Sequence, residues 1–326
     1  MEQEKRRPWR RWVVLALLIV GFYLGELFVP VQPEITVAPE KLIEEPIFEN
    51  FLGFAGPLYL VNTMPTLILT VILIVLFAYA VNRSLKKSAQ TDFVPRGIGN
   101  VTETILEVIY NMTEGAAGKW VKTIFPWFAT IMIYVLFANL MKLIPGFESI
   151  GVLHHAQGEG HARELLVGNW YLFTAEKGEY ILAPFFRGIS VDLNFTFTLA
   201  LIAVIGIQVV GFRAQGMGYL TKFLNFGGVF KKPVFGVIDM FMGILELISE
   251  FAKILSFAFR LFGNMFAGMV LISVFGALLG KISIVPAGIY LFELFIGIIQ
   301  AFVFGILTMV FMVMATQGHG EEHAKH

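Results

Sequence analysis

The chain has 326 residues, of which 57% are apolar and 15% charged. Soluble domains run about 45–50% apolar and about 25% charged, so an ordinary soluble protein is excluded. The formal net charge is zero and cysteine is absent, which removes a basic field for nucleic acid, disulfides, thiolate catalysis and Cys-ligated metals.

Six hydrophobic segments fall near 12–29, 60–82, 121–143, 191–212, 235–280 and 286–316. Runs of this length read as membrane helices, and the fold class expected is an all-α polytopic membrane protein with about six spans. The first segment follows the basic run Lys5-Arg6-Arg7-Pro8-Trp9-Arg10-Arg11. No small-x-small cleavage site follows Phe28-Val29-Pro30-Val31, so an uncleaved anchor is favoured over a signal peptide. Residues 1–59 are taken as an N-terminal anchor and external segment, and 60–326 as the core.

Basic residues set the orientation. The N-terminus, 83–96 (Arg83, Lys86, Lys87, Arg96) and 213–232 (Arg213, Lys222, Lys231, Lys232) belong in the cytoplasm by the positive-inside rule. The acid-rich stretch 30–59 and the stretch 146–190 belong outside, and six crossings return the C-terminus to the cytoplasm. Between the second and third spans, Val101, Ile105, Leu106, Val108, Ile109 and Met112 alternate at helical spacing with Thr102, Glu103, Glu107 and Asn111. This predicts an amphipathic helix over 95–118 at the membrane interface, with a plain linker helix as the alternative. The external stretch holds His154, His155, Glu159 and His161, a set able to bind zinc or nickel. Its glycine content favours a flexible polar loop, and no metal or cofactor is expected.

The penultimate segment is too long for one upright span. Its 46 residues reach roughly 69 Å at 1.5 Å per residue, against a bilayer core of about 30 Å. A steeply tilted, bent or near-horizontal helix is expected, in a hairpin with the last helix. The same segment carries Asp239, Glu246, Glu250, Lys253 and Arg260, and the last helix adds Glu293 and Gln300. Glu246, Lys253 and Arg260 recur every seven residues. Ser249, Ser256, Gly263, Asn264 and Ala267 fill the gaps, giving one polar-and-small stripe. Glu293, Gly297, Gln300, Ala301 and Thr308 make a second stripe on the last helix.

Arg260 is the costliest of these charges. A guanidinium does not lose its proton at ordinary pH. At bilayer depth it costs at least about 2.5–3.5 kcal/mol, which marks a functional site if a partner exists. Glu250 and Lys253 can pair at i,i+3. Arg260 has no acid within one turn, and the nearest membrane carboxylate on another helix is Glu293. Simple ionic glue for the hairpin is one reading; a polar path for ions, with Arg260 facing something outside the chain, is the favoured one. A membrane-embedded enzyme is disfavoured because all six histidines lie outside the spans and no H-E-x-x-H occurs. A secondary transporter or stand-alone channel is the alternative function, against which the missing internal repeat counts.

At these residues the chain resembles subunit a of the F-type ATP synthase. Arg260-Leu261-Phe262-Gly263-Asn264-Met265, with Phe266 and Ala267-Gly268, is similar to the family's signature helix. Gln300-Ala301-Phe302-Val303-Phe304 with Leu307-Thr308 resembles its signature on the last helix. Asn139-Leu140-Met141 with Leu143-Ile144-Pro145, and Asp192-Leu193-Asn194, resemble the end of one span and the start of the next. The likeness covers about 60–320.

The resemblance implies a non-catalytic, proton-conducting stator subunit of the membrane sector. Its partners would be the c-subunit ring, b-type peripheral stalk subunits and the rest of the synthase, in the cell membrane, with ATP made elsewhere in the complex. It implies that Arg260 faces the ring and lowers the pKa of a ring carboxylate there. Glu246, Ser249, Lys253 and Ser256 match the cytoplasmic half-channel; Asn264, Glu293 and Gln300 match the outer one, and Asp192 its entrance. Met269 stands where some members carry a channel Glu, and those members often have His at the position of Glu293. Glu293 is thus the expected outer-channel titrating group. Lys142, where the family often has Gly or an acid, is expected to snorkel at the outer headgroups.

Overall fold

The computed structural model describes residues 36–317 except 44, 50–55, 91–96, 145, 146, 149, 168, 169, 224–232 and 280–283, together with 12, 13, 16 and 19. Most of the expected first span at 12–29, both charged termini and residues 224–232 of the 213–232 basic stretch lie outside the described residues. The described helices are α1 (Thr63–Ala89), α2 (Ile98–Ala117), α3 (Val121–Met141), α4 (Leu193–Gln215), α5 (Pro233–Leu279) and α6 (Ile284–Thr316). Two strands, β1 (Gly151–Val167) and β2 (Trp170–Pro184), lie between α3 and α4. Among the described residues five stretches are long and apolar enough to cross a membrane: Thr63–Ala89, Ile98–Met141, Leu193–Leu220, Met240–Phe275 and Gly288–Thr316. The chain is therefore a multi-pass helical membrane protein.

The amphipathic segment and the span after it are nearly continuous. Gly118 interrupts them with φ +51°, a backbone conformation that residues with a Cβ rarely adopt, and a three-residue 3-10 turn leads into α3. On α2, Ile98, Val101, Ile105 and Val108 remain exposed at helical spacing, while Thr102, Ile109 and Thr113 are buried. The helix thus keeps an uncovered apolar stripe, as a helix facing lipid would.

Helix α5 is one uninterrupted run of 47 residues, roughly 70 Å at 1.5 Å per residue. It runs antiparallel to α6: Phe257 packs its ring on Phe304 at 4.9 Å, and Gly268 abuts Glu293.

The chain divides into two compact units. One comprises Thr66–Met141, Gly188–Met265 and Gly297–His326. Its core includes Ile124, Phe128 and Val135 of α3, Ile207 and Val210 of α4, Leu261 and Met265 of α5, and Met312 of α6. The side chains differ in size and interlock closely: the Phe128 ring fills the space where a Cβ on Gly305 would sit, 2.8 Å away.

The other unit comprises Met1–Pro65, Lys142–Arg187 and Phe266–Ile296. Here the expected irregular loop is instead an antiparallel hairpin of β1 and β2, paired from Gly151 with Pro184 to Val167 with Trp170. It departs from a purely α-helical fold. Register shifts between His155 and Gly160, and around His161, interrupt the ladder within the histidine-rich run. Buried Arg187 anchors the segment leading out of β2: it donates to Thr36 Oγ1 at 2.9 Å, to the Ala38 carbonyl at 3.0 Å and to the Thr36 carbonyl.

Candidate functional site

The covered side of α5 is made by Ile254, Phe257, Ala258, Leu261 and Met265, spaced at one face of a helix. The opposite side holds Ser249, Ala252, Ser256, Arg260, Gly263 and Ala267, all exposed. Arg260 makes no hydrogen bond or ion pair with any other described residue. A Cβ placed on Gly263 would meet nothing within 4 Å. The arginine thus stands on an open strip of small side chains, shaped for the close approach of another helix. Asn264, one turn on, is exposed as well. Since Phe257 lies level with Phe304, the antiparallel pairing sets Arg260 level with about Ala301, next to Gln300, which is half-buried.

The predicted seven-residue stripe divides in the structure. An α-helix drifts by about 20° per heptad, so a strict seven-residue spacing does not hold one face. Arg260, Ser249 and Ser256 are exposed, whereas Lys253 and Glu246 are half-buried. Lys253 donates to Glu250 Oε1 at 2.8 Å, the expected i,i+3 pair. Glu250 is buried and also accepts from Gln208 Nε2 of α4 at 2.8 Å. Tyr219, beyond the end of α4, donates its hydroxyl to Gln208 Oε1 at 2.9 Å. The Lys253 ammonium also lies 5.0 Å from the Phe311 ring centre. Gln208, Tyr219 and Glu250 were not among the site residues expected from the sequence. Only the Glu250–Lys253 spacing gave a signal; the rest of this network depends on which helix packs beside α5.

In the other unit, Glu293 is buried and its carboxylate is paired with the Lys142 ammonium. The expectation that Lys142 snorkels to the headgroups is corrected: its side chain is 5% exposed and turned inward to the acid. Lys142 follows the last residue of α3, where the carbonyl end of a helix favours a cation. Gly268 of α5 makes room for the pair, because a Cβ there would overlap Glu293 Oε1. Within the first unit, the Gly297 carbonyl of α6 accepts from Asn139 Nδ2 of α3 at 2.9 Å. Asp192 is buried and caps α4, its Oδ1 accepting from the Asn194 amide at 2.9 Å. Thr308 is buried and bonded to the Phe304 carbonyl within α6.

His155 packs its ring against Tyr180 at 4.7 Å across the hairpin. Among the described residues no group of three or more His, Asp or Glu side chains could hold a metal ion.

The described residues thus define a multi-pass helical membrane protein that holds a buried Lys142–Glu293 ion pair in one unit, and in the other a buried Glu250 network and an Arg260 with no described ion pair. Residues 64–313 match the ATP synthase A chain family. ATP synthase subunit a of Helicobacter pylori (strain Shi470) is 31% identical over 245 residues, covering 72% of this chain and 85% of that protein. The sodium-ion-specific ATP synthase subunit a of Propionigenium modestum is 30% identical over 280 residues, covering 84% of this chain and 80% of that protein. The protein of Helicobacter acinonychis (strain Sheeba) is 30% identical over 240 residues, covering 72% and 85%. The chain belongs to the ATP synthase A chain family and is a membrane-sector subunit of an ATP synthase.

Proposed function

We propose that this chain is the proton-conducting stator subunit of its synthase, a non-catalytic part whose Arg260 faces a rotating ring of c subunits. One observation carries the reading: a permanent cation, without an ion pair among the described residues, stands on an exposed strip of small residues in a long apolar helix. A buried or lipid-facing arginine needs a counter-charge, and a mobile carboxylate on a neighbouring helix supplies one. When that carboxylate comes within a few ångströms of Arg260, the opposite charge lowers its pKa and it releases its proton. Arg260 itself accepts no proton, so it also blocks a direct leak between the two sides.

Two offset half-channels then load and unload the ring carboxylate. Glu246, Ser249, Lys253 and Ser256 serve the cytoplasmic side. Asn264, Glu293 and Gln300 serve the outer side, with Asp192 at its entrance. Each proton contributes about 2.3 kcal/mol per 100 mV of membrane potential, which turns the ring. Further partners are b-type stalk subunits. Residues 1–59 form an anchor and external segment, and the chain lies in the cell membrane with both termini in the cytoplasm.

The test is Arg260→Ala in the assembled complex, reconstituted in vesicles. ATP-driven acidification is expected to fall to background with assembly intact, and wild-type pumping by this variant would overturn the reading.

A further inference from the structure

Lys253 lies seven residues before Arg260 on one continuous helix, only about 20° away around α5 and about 10.5 Å along it. Helical geometry alone would let its ammonium reach over the open strip, between the exposed Ser249 and Ser256. The side chain takes another course and is only 17% exposed. Its ammonium donates to Glu250 Oε1 at 2.8 Å and lies 5.0 Å from the ring centre of Phe311 on α6. That ring also packs edge-on against Phe257, on the covered side of α5. Glu250 is fixed in turn from α4, where Gln208 Nε2 donates to its other oxygen at 2.8 Å. Both ends of the Gln208 amide are engaged, since the Tyr219 hydroxyl donates to its Oε1 at 2.9 Å. The Tyr219 ring is 3% exposed and sits against Gly211, where a Cβ would lie 2.6 Å from it. Residues of α4, of the segment after it and of α6 thus draw one lysine away from the strip.

We propose that Glu250, with Gln208 behind it, is a positioning residue that holds the Lys253 ammonium off the strip, so that Arg260 is the cation a partner carboxylate meets there. The proposal rests on the reading of that strip as the face of a rotating partner. A carboxylate moving past α5 is drawn to a cation that lacks a counter-ion, and in apolar surroundings the attraction is far stronger than in water. A released Lys253 would offer such a cation about 10.5 Å from Arg260. The carboxylate would pair there and stall without reaching the arginine. Paired with Glu250, the lysine presents no net charge, and the Phe311 ring face holds the ammonium on the covered side. The role needs no change of protonation in Glu250 or Lys253.

The experiment measures ATP-driven acidification by the whole complex in liposomes. Glu250→Gln removes the anion and keeps an oxygen that can accept from Gln208. It is expected to lower the rate at least about fivefold, and adding Lys253→Met is expected to recover most of the loss, to within about twofold of Lys253→Met alone. Lys253→Met alone is expected to pump at a reduced but measurable rate. Background pumping there would mean that the ammonium itself is required, and would overturn the proposal. So would wild-type pumping by Glu250→Gln, or a double variant no faster than Glu250→Gln, the result expected if the network only joins α4 to α5. If Glu250→Gln does not assemble, Glu250→Gln/Lys253→Met, which removes both charges, is expected to assemble and pump; its failure would equally overturn the proposal. Arg260→Ala, run in parallel, separates the two readings: transport surviving there would sink the stator reading, whereas a loss in Glu250→Gln that Lys253→Met does not relieve sinks only this one.

Discussion

Glu250 shows how a single buried carboxylate organises its surroundings. It takes a hydrogen bond from Lys253 on its own helix and another from Gln208 on α4, and Gln208 is in turn held by Tyr219. Replacing it with an apolar residue leaves Lys253 without its anion and a Gln208 donor without an acceptor. Leaving such groups unpaired costs about 1–3 kcal/mol. Glu250→Leu is therefore expected to destabilise the subunit by about 2 kcal/mol, and adding Lys253→Met to restore part of that. Thermal inactivation of the solubilised complex measures both; equal stability of Glu250→Leu and the wild type would show the network to be incidental. The half of this network that lies on one helix was legible, because helical geometry alone brings i and i+3 together. The bond from Gln208 spans 42 positions, and the pairing of Lys142 with Glu293 spans 151. No local pattern encodes such contacts, so a lysine near a helix end supported only the expectation that it snorkels.

At the level of elements, apolar run length and helical spacing were enough to predict α1 to α6, including a penultimate helix longer than any upright span. The β-hairpin was missed, although a signal for it existed. Gly168-Asn169 separates Leu165-Leu166-Val167 from Trp170-Tyr171-Leu172-Phe173, two β-prone runs joined by a two-residue turn pair. The histidines and glycines upstream obscured it. How α4 meets the segment after it was not legible either, since it depends on a contact between a glycine and a ring. A Cβ on Gly211 would lie 2.6 Å from the Tyr219 ring. Gly211→Ala is thus expected to push Tyr219 off Gln208 and to cost about 1–3 kcal/mol. Gly115→Ala in α2, where nothing lies within 4 Å, is expected to hold or raise stability by up to about 1 kcal/mol. Thermal inactivation of the two variants side by side separates packing from helix propensity, and an equal loss in both would discount the close approach of Tyr219.

Across the described residues, two ion pairs are buried among the apolar helices. They are Lys142 with Glu293 and Glu250 with Lys253. Arg260 makes no ion pair with another described residue, and its surroundings differ in kind from theirs. Around the pairs the packing is dense. Around Arg260 the positions before and after it on the same side of α5 are Ser249, Ala252, Ser256, Gly263 and Ala267, every one exposed. Elsewhere the uncovered surface of α5 and α6 carries large side chains such as Phe241, Phe251, Leu291 and Phe295, as a lipid-facing surface does. A strip of small residues brings no gain against lipid, whereas it lets another helix backbone come close enough for its carboxylate to reach the guanidinium. This distinction can be tested without touching any charge. Gly263→Leu adds a branched side chain where no described residue lies within 4 Å of the Cβ position, and leucine favours a helix over glycine by up to about 1 kcal/mol. The isolated subunit is expected to keep its thermal stability, while ATP-driven proton pumping by the assembled complex falls at least tenfold because the partner helix is held off. Gly115→Leu, equally unobstructed but on α2, is expected to leave pumping unchanged. Full pumping by Gly263→Leu would mean that the strip beside Arg260 faces lipid, and the counter-charge of that arginine would then have to be sought elsewhere.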